Sequence, residues 1–374
     1  MNAIDSNDDG ASLLEQVRQA IASHTPLRIR GAGSKDFLGR PVAGLDIDTR
    51  QHCGIVSYEP SELVVTARAG TPLSALNAAL EDAGQMLPCE PPTFDDTATV
   101  GGMVAAGLAG PRRPWSGGVR DFVLGCRLIS GHGTQLRLGG EVMKNVAGYD
   151  VSRLLVGSFG CLGLITEVSL KVLPRPRACQ SVSLPMDAGT ALHTLVRWRR
   201  EAMPVSAACH TEGMLHVRFE GGEGSVAQAV ERAGDLVRPA EVRPAQPLDD
   251  GFWTLLRERR LPFFQDPRPL WRVSLPPQDI GQGRPAEGRP GTVWPGDVLL
   301  DWGGAQTWLK SDAPPVLIRK LAGDFGGHAM CFTPTPGVEP FHPLPDGLMR
   351  FHQQLKRQMD PHGIFNPGRM YADL

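Results

Sequence analysis

The segment Pro91–Gly107, PPTFDDTATVGGMVAAG, constrains this 374-residue chain more than any other stretch. Pro91 and Pro92 fix φ and force an extended approach. Thr97 and Thr99 follow with hydroxyls, and Val100-Gly101-Gly102 opens a helix of small residues. Such a start is expected to expose the N–H groups of Val100, Gly101 and Gly102, where the helix dipole favours an anion. Ala105, Ala106 and Gly107 leave room for a flat ligand or for close packing. A glycine-rich helix start packed without any ligand gives the same string.

A second glycine turn lies upstream. LRIR (27–30) reads as a short strand that runs straight into Gly31-Ala32-Gly33-Ser34-Lys35. Glycine takes positive φ and lets backbone N–H groups approach an anion closely. Ser34 adds a hydroxyl and Lys35 a positive charge, so the turn suits a diphosphate; a strand-end glycine turn read alone is more often just a turn. It is not a dinucleotide fingerprint of the Rossmann kind, because the third glycine opening a helix is missing. It is not a Walker A loop either.

The bulk properties exclude several classes. Formal net charge is −2 and apolar residues make up 41%, which argues against a dedicated nucleic-acid or polybasic membrane binder. No apolar run reaches the ~18 residues a membrane span needs, and the start MNAIDSNDDG lacks the basic and apolar parts of a signal peptide. The expected location is cytoplasmic. Seven scattered cysteines without a C-x-x-C pair fit neither a disulfide framework nor a zinc or iron–sulfur site. They read as buried small hydrophobes, and no metal site is expected.

The pattern along the chain is α+β. Ser12 with Glu15 has the spacing of a capping box, ahead of a helix faced by Leu13, Val17 and Ala20. LVVTAR (63–68) reads as a strand, followed by a helix capped by Thr71 with the face Leu76, Ala79 and Leu80. FVLGCRLIS (122–130) and TQLRLG (134–139) read as a hairpin, SRLLVGS (152–158) as a short helix and LITEVSLKVL (164–173) as a strand. The stiff Pro174-Arg175-Pro176-Arg177 marks a domain boundary. Beyond it, strands are expected at 182–185, 214–220, 271–276, 297–302 and 306–310, and helices at 191–200, 225–237 and 315–323. VSLP occurs at 182 and again at 273. That echo suits a ferredoxin-like duplication, or chance repetition of a short strand string. Residues 277–296 read as an irregular loop.

Two further segments, Trp115–Gly125 and Leu154–Glu167, complete a pattern of four. In this order over residues 27–175 they resemble the FAD domain shared by vanillyl-alcohol oxidase and p-cresol methylhydroxylase. The resemblance implies a two-subdomain FAD-binding domain at 1–177, a smaller ferredoxin-like cap at 178–335, and a C-terminal segment, 336–374, that returns to the FAD domain. It implies FAD contacts at Gly31, Ala32, Gly33, Ser34, Lys35, Pro92, Thr97, Thr99, Val100, Gly101, Gly102, Gly107, Asp121, Gly163, Ile165 and Asn366. Gly163–Ile165 would lie along the adenine or flavin side. Lys35 and Arg120 are candidates for charge near the phosphates. Some relatives attach FAD through a histidine in the first loop and a cysteine in the second; neither is present, so non-covalent FAD is expected. The close, Met359-Asp360-Pro361-His362-Gly363-Ile364-Phe365-Asn366-Pro367-Gly368-Arg369, is similar to the tail of FAD-linked oxidases and is also good turn chemistry.

Met143-Lys144-Asn145-Val146-Ala147-Gly148-Tyr149-Asp150 is similar to the small flavin subunits of bacterial glycolate-oxidising complexes. That resemblance implies oxidation of glycolate and related 2-hydroxy acids to 2-oxo acids by hydride transfer to flavin. It also implies a larger paralogous flavin subunit and an iron–sulfur subunit as partners, electrons leaving to the quinone pool, and membrane association through the complex. Catalytic 2-hydroxy-acid relatives carry His-Gly-Asp-Gly-Asn-like and Glu-His-Gly-like motifs in the second domain. This chain has neither: His193, His210, His216 and His328 stand alone, and no catalytic residue is assigned. A self-sufficient FAD-dependent dehydrogenase and a flavin-free scaffold are the rival readings.

Overall fold

The computed structural model describes residues 6–94, 96–140, 150–235, 246–249, 251–277 and 294–374. Asp95, the Met143–Tyr149 stretch and most of the loop expected at 277–296 lie outside the described residues. The chain divides into two units. One comprises residues 1–110, 117–175 and 343–374, the other 111–116 and 176–342. The division falls at Arg175/Pro176, and the return begins at Pro343 rather than residue 336.

The first unit holds strands β1 (Leu27–Arg30), β2 (Leu45–Asp48), β3 (Ile55–Glu59), β4 (Val64–Arg68), β5 (Gln85–Met86), β6 (Val123–Ile129), β7 (Gln135–Gly139), β8 (Leu164–Lys171) and β9 (Leu173–Pro174). Strands β1 and β2 form a parallel pair, and a five-stranded antiparallel sheet runs β3-β4-β8-β6-β7. The central strand β8 is buried on both faces, with Leu164, Ile165, Val168 and Leu170 in the core and the buried Ser169 hydroxyl bonded to that of Thr66 at 2.8 Å. The edge strand β7 is largely exposed and reads QLRLG.

A separate cluster joins the helix Gly10–Ala22 to the parallel pair. Leu13, Val17 and Ala20 pack on Leu27 and Ile47, and Ile364 and Phe365 arrive from the far end of the chain. Ile364 is 1% and Phe365 0% exposed, so each contributes about 1.5–3 kcal/mol of burial. Phe365 bridges Leu27 in parallel, extending the β1–β2 pair.

Two capping expectations fail locally. The first helix begins at Gly10, before Ser12, because Asp8 Oδ1 already accepts the Gly10 N–H at 3.0 Å. Thr71 caps nothing: its hydroxyl is spent on Gly54, accepting from N and donating to O, and the helix Leu73–Asp82 starts after Pro72.

The second unit holds β10 (Ala178–Pro185), β11 (Val205–Thr211), β12 (Met214–Gly221), β13 (Gln246–Pro247), β14 (Leu270–Ser274), β15 (Asp297–Asp301), β16 (Gln306–Lys310) and β17 (His328–Cys331). They form one antiparallel sheet in the order β13-β10-β12-β11-β15-β16-β14-β17. Numbered within each half, that order is 4-1-3-2 followed by 2-3-1-4. Two ferredoxin-like sheets are joined edge to edge, through Cys209↔Asp301 and His210↔Leu300. Both copies of VSLP lie at the first strand of their half, β10 and β14, as a duplication requires. The helices Ala188–Arg200 and Glu223–Asp235 cover one face of the first half, around Trp198 and Phe219. The helix Pro315–Asp324 covers the same face of the second half, around Trp271 and Leu309.

Candidate cofactor-binding cleft

Strand β1 ends at Arg30, and the chain turns at Gly31 directly against the other glycine segment. A Cβ on Gly31 would lie 2.5 Å from Thr99 Oγ1. Only glycine permits that approach. Gly33 then adopts φ +75°, the left-handed turn that a side chain would strain. The N–H groups of Ala32, Gly33 and Ser34 have no acceptor among the described residues. Lys35 Nζ sits 3.4 Å from Ser34 Oγ and 5.2 Å from the Phe94 ring centre.

The two turns share one cleft of about 230 Å³. Arg28–Asp36, Pro41 and Val42 form one side; Thr99, Gly102, Ala105 and Ala106 form another; Phe159, Asn366 and Arg369 close it. Gly102, Ala105 and Ala106 keep the second wall low. The acidic groups nearby are held by arginines. Asp36 pairs with Arg30 at 2.6 Å, and the hydrogen bond from Arg28 holds the Asp46 carboxyl below its usual range.

The expected free amides at the helix Val100–Ala106 are a correction. Val100 N donates to Thr71 O (2.9 Å), Gly101 N to Ala69 O (2.8 Å) and Gly102 N to the Thr99 hydroxyl (3.2 Å). The physical reason is proximity. A Cβ on Gly101 would lie 2.8 Å from the Ala69 Cβ, so the helix start runs along residues 69–71 and its donors are consumed there. Gly101 serves packing, and the first loop supplies the open donors.

Of the expected contacts, Gly31, Ala32, Gly33, Ser34, Lys35, Thr99, Gly102 and Asn366 line the cleft. The others do not line it. Pro92 is buried, Thr97 Oγ1 donates to Phe94 O at 3.1 Å, and Val100 is buried. Gly107 ends its helix at φ +63°. Asp121 Oδ2 accepts the Gly118 N–H at 2.8 Å, and Arg120 is exposed in the same short helix. Gly163 abuts Leu128, and Ile165 pairs with Leu128 in the β6–β8 ladder.

Asn366 reaches the cleft as a brace. Its Oδ1 accepts from Ile29 N at 2.8 Å and its Nδ2 donates to Phe159 O at 2.7 Å. Arg369, which motif reading missed, donates to the carbonyls of Arg40 (3.0 Å), Asp36 (3.2 Å) and Lys35 (3.4 Å). Its only signal in the sequence was its place three residues after Asn366 in a polar tail. Behind both, the buried Lys356 Nζ donates to Asp360 (2.7 Å), Cys161 O (2.8 Å) and Phe365 O (2.7 Å).

No histidine or cysteine lines the cleft among the described residues. His52 is buried elsewhere and accepts from Asp9 N at 3.1 Å. Burial pushes the Cys89 and Cys126 thiols up to about 12. His216 bonds Ser183 and is pushed down to about 4 by burial, while His193 and His210 bond backbone carbonyls. No group of three or more potential metal ligands occurs among the described residues. Open amides, a nearby ammonium, a low wall of small side chains and neutralised carboxylates together fit a dinucleotide diphosphate.

A β1–β2 pair and antiparallel sheet around such a cleft, with a duplicated ferredoxin-like sheet beside them in sequence, define an FAD-binding flavoprotein of the p-cresol-methylhydroxylase type. Residues 7–139 match the family described as FAD binding domain. Alkyldihydroxyacetonephosphate synthase has the same fold, with a TM-score of 0.66 at 16% identity over 96% of this chain and 75% of that one. The chain is 54% identical over 367 residues to the glycolate oxidase subunit GlcE of Escherichia coli K12, covering 98% of this chain and 99% of that protein. It belongs to that family of oxidoreductase subunits, and its cofactor is FAD. It is also 34% identical over 153 residues to the glycolate oxidase subunit GlcD of Bacillus subtilis, an alignment covering 32% of that protein. No helix among the described residues is long and apolar enough to cross a membrane.

Proposed function

We propose that the chain is the smaller FAD-binding subunit of a complex that oxidises glycolate, and related 2-hydroxy acids, to glyoxylate and the corresponding 2-oxo acids. The carrying observation is the pairing of the open Ala32–Ser34 amides with a wall at Thr99 and Gly102, in a chain that matches GlcE along its whole length. Gly31–Lys35 hold the diphosphate, Thr99 and Gly102 flank it, and Asn366 and Arg369 fix the loop. FAD, bound non-covalently, supplies the hydride acceptance; the protein supplies position and electrostatics. The partners are a larger paralogous flavin subunit and an iron–sulfur subunit, which passes electrons on. The complex is cytoplasmic, meeting the membrane through its partners.

The test is to express the chain alone and with its genomic neighbours. Acid precipitation should release FAD quantitatively from the chain. Anaerobic glycolate should bleach flavin in the complex. A chain that holds no FAD after reconstitution, or a complex whose flavin ignores glycolate, would refute the proposal.

A further inference from the structure

The helix Asp346–Met359 is held by a charge where a surface helix is ordinarily held by an apolar stripe. Its one buried side chain is Lys356, 8% exposed, while Leu348 and Phe351 of the same helix are 49% and 67% exposed. Lys356 Nζ commits all three N–H donors, to Asp360 Oδ2 (2.7 Å), Cys161 O (2.8 Å) and Phe365 O (2.7 Å). Asp360, 2% exposed, also accepts from Ile364 N at 3.2 Å and from Phe365 N at 2.8 Å.

The ion pair ties together two short segments that both reach the cleft. One is the turn Phe159–Cys161 and the other is Phe365–Asn366; Phe159 and Asn366 line the cleft. Each of those two residues has a left-handed backbone, φ +52° and +40°, a conformation that persists only where the surroundings impose it. The segments touch closely: a Cβ on Gly160 would lie 2.7 Å from Asn366 Nδ2. Gly131 pins the same corner from another strand end. Its N–H donates to Met359 O at 3.0 Å, and a Cβ on it would lie 2.5 Å from Asp360 Cα. The contacts then run from Lys356 through Phe365 to Asn366, which holds Ile29 N just ahead of Gly31.

We propose that Lys356 and Asp360 are positioning residues for the cofactor. They lock the Phe159–Cys161 turn to the Phe365–Asn366 segment, so that Asn366 keeps the Gly31–Lys35 loop in its binding shape. Neither lines the cleft. A buried ion pair gives little net stability over apolar residues of like volume, although removing one partner is costly. What the pair adds is direction. Three donors on Lys356 and three bonds accepted by Asp360 specify one arrangement of the two segments, which an apolar plug does not. The inference rests on the reading of Gly31–Lys35 as the diphosphate loop.

The experiment measures FAD affinity and FAD release by flavin fluorescence on the full chain, with urea unfolding of each variant alongside. Lys356→Met/Asp360→Asn carries no buried charge and should recover part of the stability lost in Lys356→Met. It should still bind FAD about 10–100-fold more weakly, the loss typical of groups that support a binding site from behind, chiefly through faster release. Asn366→Ala should weaken FAD to a similar extent. Combining it with the neutral pair should cost little more, because residues that act through one brace are not additive. Leu80→Ala removes buried side chain outside the cleft; it should unfold earlier and bind FAD normally. Normal FAD affinity in the folded neutral pair overturns the proposal, and so do losses that multiply with Asn366→Ala or an equal loss in Leu80→Ala. Should the neutral pair not fold, Gly131→Ala, which presses on Asp360 without altering a charge, decides the matter by the same reading. Lys35→Met separates the two layers. If it weakens FAD while the neutral pair binds normally, the positioning role alone is refuted; if neither weakens FAD, the reading of the loop falls with it.

Discussion

Replacing Gly31 with alanine tests whether the two glycine turns meet. The new Cβ would lie 2.5 Å from Thr99 Oγ1 and 3.2 Å from its Cγ2, but 3.4 Å from its Cβ. Gly31 is absent from the positive-φ positions, so the penalty is purely one of space, about 1–3 kcal/mol for an overpacked contact. Thr99→Ala removes the acceptor for the Gly102 N–H and costs about 1 kcal/mol as a lost helix cap. In the double variant both atoms that collide are gone and only an ordinary 3.4 Å contact remains. Its cost should therefore approach that of Thr99→Ala alone, leaving a coupling of about 1–2 kcal/mol. Urea unfolding of the four FAD-free proteins measures this, and the FAD retained after gel filtration reports the cleft, falling for Gly31→Ala. Costs that simply add, to within about 0.5 kcal/mol, would mean that the turns are not in contact and that the cleft argument is wrong.

Further outcomes follow from the same geometry. Lys356→Met strands the buried Asp360 carboxylate and should lower stability by about 3–5 kcal/mol, with Lys356→Met/Asp360→Asn recovering part of the loss in the urea midpoint. Burial raises the Asp301 carboxyl to about 6 from 3.8, so the unfolded chain ionises first as pH rises. Stability should fall by up to about 3 kcal/mol between pH 4 and 6, and the difference between wild type and Asp301→Asn in urea at pH 4.5 and 6.5 isolates it. Lys35→Met should weaken FAD binding about tenfold by loss of one charge-assisted contact, measured by flavin fluorescence at low salt. In thiol titration at pH 8, exposed Cys179 should react quickly. Buried Cys89 and Cys126, with thiols pushed up to about 12, should react only after denaturation.

Local pattern carried much of this fold. β4, β8 and the β6–β7 hairpin announce themselves through β-branched runs and glycine turns, because their burial is written into neighbouring residues. Strands β2, β3, β11 and β17 escaped such reading. DID and SYE in β2 and β3 are too polar for their windows, and HAMC is too short; pairing makes them strands, β3 with its neighbour β4, and β2 and β17 with strands farther along the chain. At the cleft, glycine spacing revealed both turns but not which amides stay open. That depends on residues 69–71 lying beside Gly101, a tertiary fact. Arg369 was invisible for the same reason, since its acceptors are more than 300 residues away in sequence. The duplication was half legible: VSLP marked the first strand of each half, whereas the shared edge at Cys209 and Asp301 left no trace in either string.

The brace on Ile29 sets a timetable for biosynthesis. Asn366 lies 337 residues beyond the amide it holds, and the whole second unit is translated between them. At roughly 5–20 residues per second, a nascent chain waits roughly 17–70 s between making the Gly31–Lys35 turn and making the residue that steadies it. On the function proposed above, cofactor capture follows synthesis of the whole second unit. A message cut short yields a polypeptide with both glycine turns and no means of keeping them in place.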